Sequence, residues 1–220
     1  TVEAFVNFGA DYMEPGVLFY GGRGTVTVGE AFGPTAERVS PRVLAIRDSW
    51  QDFDERAFAT DNIMGYLWGK EAYGAMLFVT ALTNDSIADA LAMPEHRGIY
   101  IAIAREMLAV AAAHDVQPMA FDGFDPAAYR PDAPAGAAEQ SLDALVAHNR
   151  RSAKTHSGIW RDLAVRKRPT EVDAQLGIVV RLGAAAGVPT PLTARVVAMI
   201  QEIERGTRAQ SRDNLEALTT

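Results

Sequence analysis

One basic side chain stands inside a long apolar stretch. Residues 61–83 read as a single helix, and Lys70 is its only basic residue. Burying an unpaired ammonium costs several kcal/mol. Lys70 must therefore either carry its charge to solvent along its own stem or border a polar cleft. In a cleft, partial burial tunes a lysine toward the working pH and fits it for acid–base chemistry. Two basic clusters, Arg150-Arg151 with Lys154 and Arg166-Lys167-Arg168, read either as solvated faces or as contacts to an anionic ligand such as a cofactor phosphate.

Other chemistry is excluded by composition. The chain has no cysteine, so it has no disulfide, thiolate metal site or cysteine nucleophile. Its histidines, His96, His114, His148 and His156, form no close pair, and no metal site is expected. A net charge of −7 argues against a nucleic-acid surface. The apolar run after Glu71 spans about a dozen residues, short of the roughly 20 a membrane helix needs. The opening Thr1-Val2-Glu3 lacks the basic start of a signal peptide. A cytoplasmic protein with no membrane partner is expected.

The elements that must position Lys70 change along the chain. Val2–Phe8 alternates like a strand. Glu14-Pro15-Gly16 signals a turn, and Val17–Tyr20 and Thr25–Val28 are short β-rich runs. Gly21–Gly24 lies between those runs. Because a strand rather than a helix follows, the cluster reads as a hairpin turn and not as a phosphate loop. Residues 35–48 read as a helix, and Phe53–Ala59 as a strand or loop. The Lys70 helix starts near Asp61. A short helix follows at 86–92, capped by the Asn84-Asp85-Ser86 break.

Pro94 opens a helix in which Ile99, Ile103, Met107 and Val110 recur at helical spacing. Residues 115–138 have no period and read as a long loop. Ser141–Lys154 is helical, with Leu142, Leu145 and Val146 on one side. Thr170 and Asp173 mark a helix start, and Gly187 its end. The last helix spans 191–206, with Ala194, Val197, Ile200 and Ile203 inward. The end of the chain reads as frayed. The expected organisation is α+β. A β-rich portion over 1–60 precedes a helical domain over 61–208 and a polar tail over 209–220.

Three stretches in order resemble the 2-dehydropantoate 2-reductase (ketopantoate reductase) family. Glu14-Pro15-Gly16-Val17 with Val28-Gly29-Glu30 is similar to the last strands of its nucleotide-binding domain. Leu67-Trp68-Gly69-Lys70 is similar to its W-x-K-L helix. Arg161-Asp162-Leu163, Arg168 to Asp173 and Gly187-Val188-Pro189-Thr190-Pro191 follow its Q-D-L…R-x-T-E-I-D…G-V-P-T-P pattern. The resemblance implies the end of a nucleotide-binding domain followed by an all-α domain of the 6-phosphogluconate dehydrogenase C-terminal type. Roughly the first hundred residues of a full member, with the G-x-G-x-x-G cradle for the pyrophosphate, have no counterpart here. A fragment is therefore expected, inactive by itself.

The resemblance implies reduction of a 2-oxo acid by NADPH, Lys70 being the catalytic lysine. Glu171 would orient the ammonium or hold the nicotinamide ribose, its place at a helix start favouring a carboxylate. Ser157 and Thr155 are the candidate hydroxyl donors to a substrate carboxylate, and Asp162 is either a ligand or a partner to a basic side chain. The chain departs from the family pattern at Gly74 and Phe78, where asparagines usually stand. Its Asp162–Glu171 segment is one residue longer. These departures leave two alternatives: a helical dimerisation or ligand-binding module that has lost catalysis, or a reductase of a less polar 2-oxo acid. The resemblance also allows a homodimer through the helical domain.

Overall fold

The computed structural model describes residues 1–33 and 38–219. A small mixed sheet leads into an all-helical body. Strand β1 (Val2–Val6) pairs antiparallel with β4 (Val26–Glu30), and β4 pairs parallel with β5 (Phe58–Thr60). Between β1 and β4 the chain runs out and back as a separate two-stranded ribbon, β2 (Ala10–Glu14) and β3 (Val17–Tyr20). Glu14-Pro15-Gly16 turns that ribbon, with Gly16 at φ 85°, a conformation glycine adopts without strain.

Gly21–Gly24 is therefore not a hairpin turn between β3 and β4. It returns the chain from the ribbon to the sheet. The reason is packing: all five residues of β4 are buried, a pattern that suits a central strand, and β1 and β5 supply its two neighbours. Gly24 allows the return, since a Cβ there would lie 2.2 Å from the Asn7 carbonyl oxygen.

Helix α1 (Pro41–Gln51) starts at Pro41, where the missing N–H costs nothing. Ser40 caps it, its hydroxyl accepting from Val43 N. The earliest part of the expected 35–48 helix lies outside the described residues. Helix α2 (Ile63–Thr80) is capped by Asn62, one residue after the expected Asp61, through a 2.9 Å bond from Gly65 N. It is apolar almost all round because it runs through the middle of the body. Ala72, Ala75, Met76, Phe78 and Val79 are fully buried, and a large side chain so placed contributes about 1.5–3 kcal/mol.

Helices α3 (Ile87–Ala92) and α4 (Arg97–Ala113) pack against α2, and α5 (Ala137–Arg151) packs on α3 and α4. The expected Ile99, Ile103, Met107 and Val110 are all buried. Helix α5 begins four residues before the expected start, behind Gly136 at φ 80°. The long 115–138 segment is not idle. It lays Gln117 and Met119 along α2, where Gly65 and Gly69 leave no Cβ in the way. It then buries Phe121, Phe124 and Tyr129, with Phe5 and Phe121 in edge contact at 5.0 Å.

The rear consists of α6 (Gly158–Arg161), a π turn at Asp162–Arg166, α7 (Leu176–Ala186), α8 (Pro191–Glu204) and α9 (Asp213–Thr219). Two expectations need correction here. The buried face of α8 is Thr193, Val196, Met199 and Ile200, with Val197 and Ile203 packed at its edge; of the four residues expected inward only Ala194 is exposed. Glu106 sets that rotation by accepting from Leu192 N, Thr193 N and Thr193 Oγ1. The terminal segment is not frayed either: α9 buries Leu215 and Leu218, and Asn214 donates to the Leu82 carbonyl at 2.8 Å.

Candidate functional site

A cavity of about 790 Å³ lies where the sheet loops, α2, the end of α5 and the 157–175 segment meet. Lys70, Phe78, Ser157, Asp162 and Glu171 all border it. Of the expected site residues, Thr155 and Gly74 do not. Thr155 is exposed and its hydroxyl bonds the ring of His156 at 2.9 Å. It belongs instead to a surface turn fixed by Ile87 N, which donates to its carbonyl. Gly74 does not line the cavity, and a Cβ there would meet only Gln175 Oε1, at an ordinary contact distance of 4.0 Å.

Lys70 reaches the cavity from the middle of α2. Its ammonium donates to the Val6 carbonyl at 2.6 Å and stands 5.6 Å from the centre of the Phe5 ring. The head is open to the cavity, while surrounding protein still strips enough water to push its pKa below the ordinary lysine value; the charge of Glu71 pulls the other way. Glu71 lines a different hollow, between α2 and α7. Its Oε1 is buried with no hydrogen-bond partner among the described residues, and burial lifts its carboxyl to about 7 against the pull of Lys70.

Glu171 comes to the cavity by a different route from the expected helix start. Helix α7 begins only at Leu176. The segment before it is held by α8: Glu204 accepts from Thr170 N and Oγ1, both at 2.7 Å, and Gln201 donates to Asp173 at 2.8 Å. Asp173 thus makes no capping box, and no helix N-terminus supports Glu171. Its carboxylate is positioned by a turn and by Gln175 Nε2 at 3.0 Å. Among the described residues no ion pair joins it to Lys70; the two share a cavity without touching.

Ser157 is buried and caps α6, accepting from Trp160 N at 3.1 Å. Asp162 accepts from Arg166 and Arg168, each at 2.9 Å. Burial pushes its carboxyl up, but Arg168 and Arg166 outweigh that and hold it below the usual range. Three further residues escaped sequence reasoning. Tyr73 and Asn149 exchange hydrogen bonds of 3.0 and 3.2 Å at the cavity edge, and burial pushes the Tyr73 phenol up to about 12. Gln175 is the third. The available signal was helical spacing: Tyr73 follows Lys70 by one turn, and Gln175 follows Glu171 by four residues.

The arrangement defines a class: a helical domain behind a small mixed sheet, with a lysine and a carboxylate facing one cleft. Residues 62–204 match the family described as ketopantoate reductase PanE/ApbA C terminal, and the chain belongs to that family. The fold matches 2-dehydropantoate 2-reductase from Methylococcus capsulatus at 22% identity and TM-score 0.71, covering 94% of this chain and 63% of that one. It also matches a PanE/ApbA family ketopantoate reductase from Ralstonia eutropha JMP134 at 20% identity and TM-score 0.69, with 93% and 59% covered. D-mandelate dehydrogenase, solved with NADH and anilino(oxo)acetate, matches at 18% identity and TM-score 0.69, with 91% and 59% covered. The chain spans about three-fifths of the length of these relatives. No curated protein matches it. Among the described residues no helix is long and apolar enough to cross a membrane.

Proposed function

We propose that this chain is the catalytic and substrate-binding part of an NADPH-dependent reductase of a 2-oxo acid. The observation that carries the reading is the convergence of Lys70 and Glu171, a hundred residues apart in sequence, on one cavity. The cavity suits an anion. Arg23, Lys70, Arg151 and Arg166 border it, and Gly9 and Gly21 let backbone approach closely, a Cβ on Gly21 falling 3.0 Å from the Gly9 carbonyl oxygen. Bound nicotinamide would supply the hydride.

The chain's own residues do the rest. The Val6 carbonyl takes one of the three Lys70 N–H donors and leaves two for a substrate carbonyl oxygen. As negative charge develops there, the ammonium stabilises it and gives up a proton, completing the alcohol. Glu171, steadied by Gln175, holds the nicotinamide ribose or orients Lys70. Ser157 keeps a hydroxyl at the cavity edge for a substrate carboxylate.

A less polar substrate than ketopantoate is favoured by the apolar wall of Tyr73, Leu77, Phe78 and Ile159. A homodimer through the helical domain belongs to the same reading, supported by the shallow apolar hollow of Met64, Leu67, Trp68 and Ile178 between α2 and α7. Light scattering of the full-length protein tests the dimer. The activity is tested by NADPH oxidation with a panel of 2-oxo acids. Turnover of a branched or aromatic 2-oxo acid that is lost in Lys70→Ala supports the reading. No turnover across the panel turns the assignment to a non-catalytic module.

A further inference from the structure

A second cavity, of about 540 Å³, opens on the other side of the Asp162–Thr170 segment. One wall is the end of the π turn with Leu163, Ala164 and Lys167. The other is the end of α8 and the chain beyond it, with Ile203, Arg205 and Arg208. Four cations, Lys167, Arg168, Arg205 and Arg208, face one carboxylate, Glu204. That carboxylate is already engaged by Thr170 N and Oγ1. Arg168 is committed to Asp162 and Arg208 to Glu202. Lys167 and Arg205 have no ion pair or side-chain hydrogen bond among the described residues.

The backbone at Lys167 adds a second observation. Lys167 sits at φ 51° and ψ 49°, a left-handed conformation that is unfavourable for a lysine. The π turn imposes it: Lys167 caps the turn, its N–H donating to the Asp162 carbonyl, and this fixes where the lysine leaves the chain beside the cavity. In a chain of net charge −7, a concave patch with this excess of positive charge focuses anions. Its volume lies in the range of small-molecule sites, and Leu163, Ala164 and Ile203 give it the apolar floor such sites have.

We infer that this cavity binds an organic phosphate, its phosphate between Lys167, Arg205 and Arg208 and its organic part over Leu163, Ala164 and Ile203. A phosphate fits because Lys167 and Arg205 carry no ion pair among the described residues and an arginine fork matches its oxygens. The site is separate from the Lys70 cavity, although Arg168 borders both. The inference does not depend on the reductase reading.

Calorimetric titration of the full chain with pyrophosphate tests it. Saturable binding is expected in the parent and in Arg151→Ala, which alters only the first cavity. Lys167→Ala with Arg205→Ala should weaken binding about tenfold or more. Both side chains are exposed, so the double variant should fold. As a check that needs no variant, amide shifts on titration should move at residues 163–168 and 203–210. Undiminished binding by the double variant would place the probe in the first cavity and overturn the site. So would a failure to saturate by ~10 mM, or shifts confined to residues around Lys70.

Discussion

The ammonium of Lys70 donates to the carbonyl oxygen of Val6, 2.6 Å away and 64 residues earlier in the chain. This bond ties the middle of α2 to the end of β1 and fixes where the charge stands. Lys70→Ala in the full-length protein is expected to lower kcat by about 10²-fold or more, the usual scale of a general acid. Lys70→Arg should not restore it, since a guanidinium does not release its proton near neutrality. Steady-state NADPH oxidation measures both, and a variant within a few-fold of the parent would remove Lys70 from the reaction.

The pH profile gives a second test. A general acid must be protonated, so activity should fall as pH rises through the Lys70 pKa. Burial sets that pKa below the ordinary 10.5. The alkaline limb of kcat/KM should therefore begin earlier than a free lysine would give. A limb at or above the ordinary lysine value would contradict the geometry.

Glu71 should make the folded state pH-sensitive. Its carboxyl is raised from 4.5 to about 7 by burial. Below pH 4.5 it is protonated whether the chain is folded or not, and costs nothing. As pH rises toward 7 the unfolded chain ionises first, and stability declines. Glu71→Gln should leave stability unchanged at pH 4 and raise it at pH 8 by up to about 3 kcal/mol. Urea denaturation at the two pH values decides the matter; an equal gain at both would sink the explanation.

Asp122 fastens the sheet to the helical body. Its carboxylate accepts from Asn7 Nδ2 at 2.7 Å, Thr25 N at 2.9 Å and Thr25 Oγ1 at 3.1 Å. Asp122→Ala strands these donors at φ 39°, where alanine is also strained. A loss of about 2–3 kcal/mol is expected, read from denaturant midpoints. Asp122→Asn, which tolerates that backbone, should lose less.

Two glycines of α2 should respond oppositely to alanine. Gly74 has only Gln175 at 4.0 Å, so Gly74→Ala should gain about 0.5–1 kcal/mol from helix propensity. Gly69 would drive a Cβ to 2.5 Å from the Met119 carbonyl oxygen, and Gly69→Ala should displace the loop and lower the melting temperature by several degrees. Similar melting temperatures for the two variants would overturn the assignment of Gly69 to close packing.

The sequence by itself determined the local outcomes. Hydrophobic period and caps placed α2, α4 and the end of α7, because those signals act over a few residues. The spacing of Ile99, Ile103, Met107 and Val110 marked the buried face of α4, and the ordered motifs singled out Lys70 and Glu171, which border one cavity. Tertiary structure decided what depends on partners far along the chain. β4 chose β1 and β5 rather than β3, since a strand buried at every residue needs a neighbour on each side. Residues 170–173 stayed out of α7 because Glu204 and Gln201, some thirty residues later, hold Thr170 and Asp173. Thr155 turned to the surface and Tyr73, Asn149 and Gln175 reached the cavity edge or its wall for the same reason: a helical period says which residues share a face, and only packing says what that face meets.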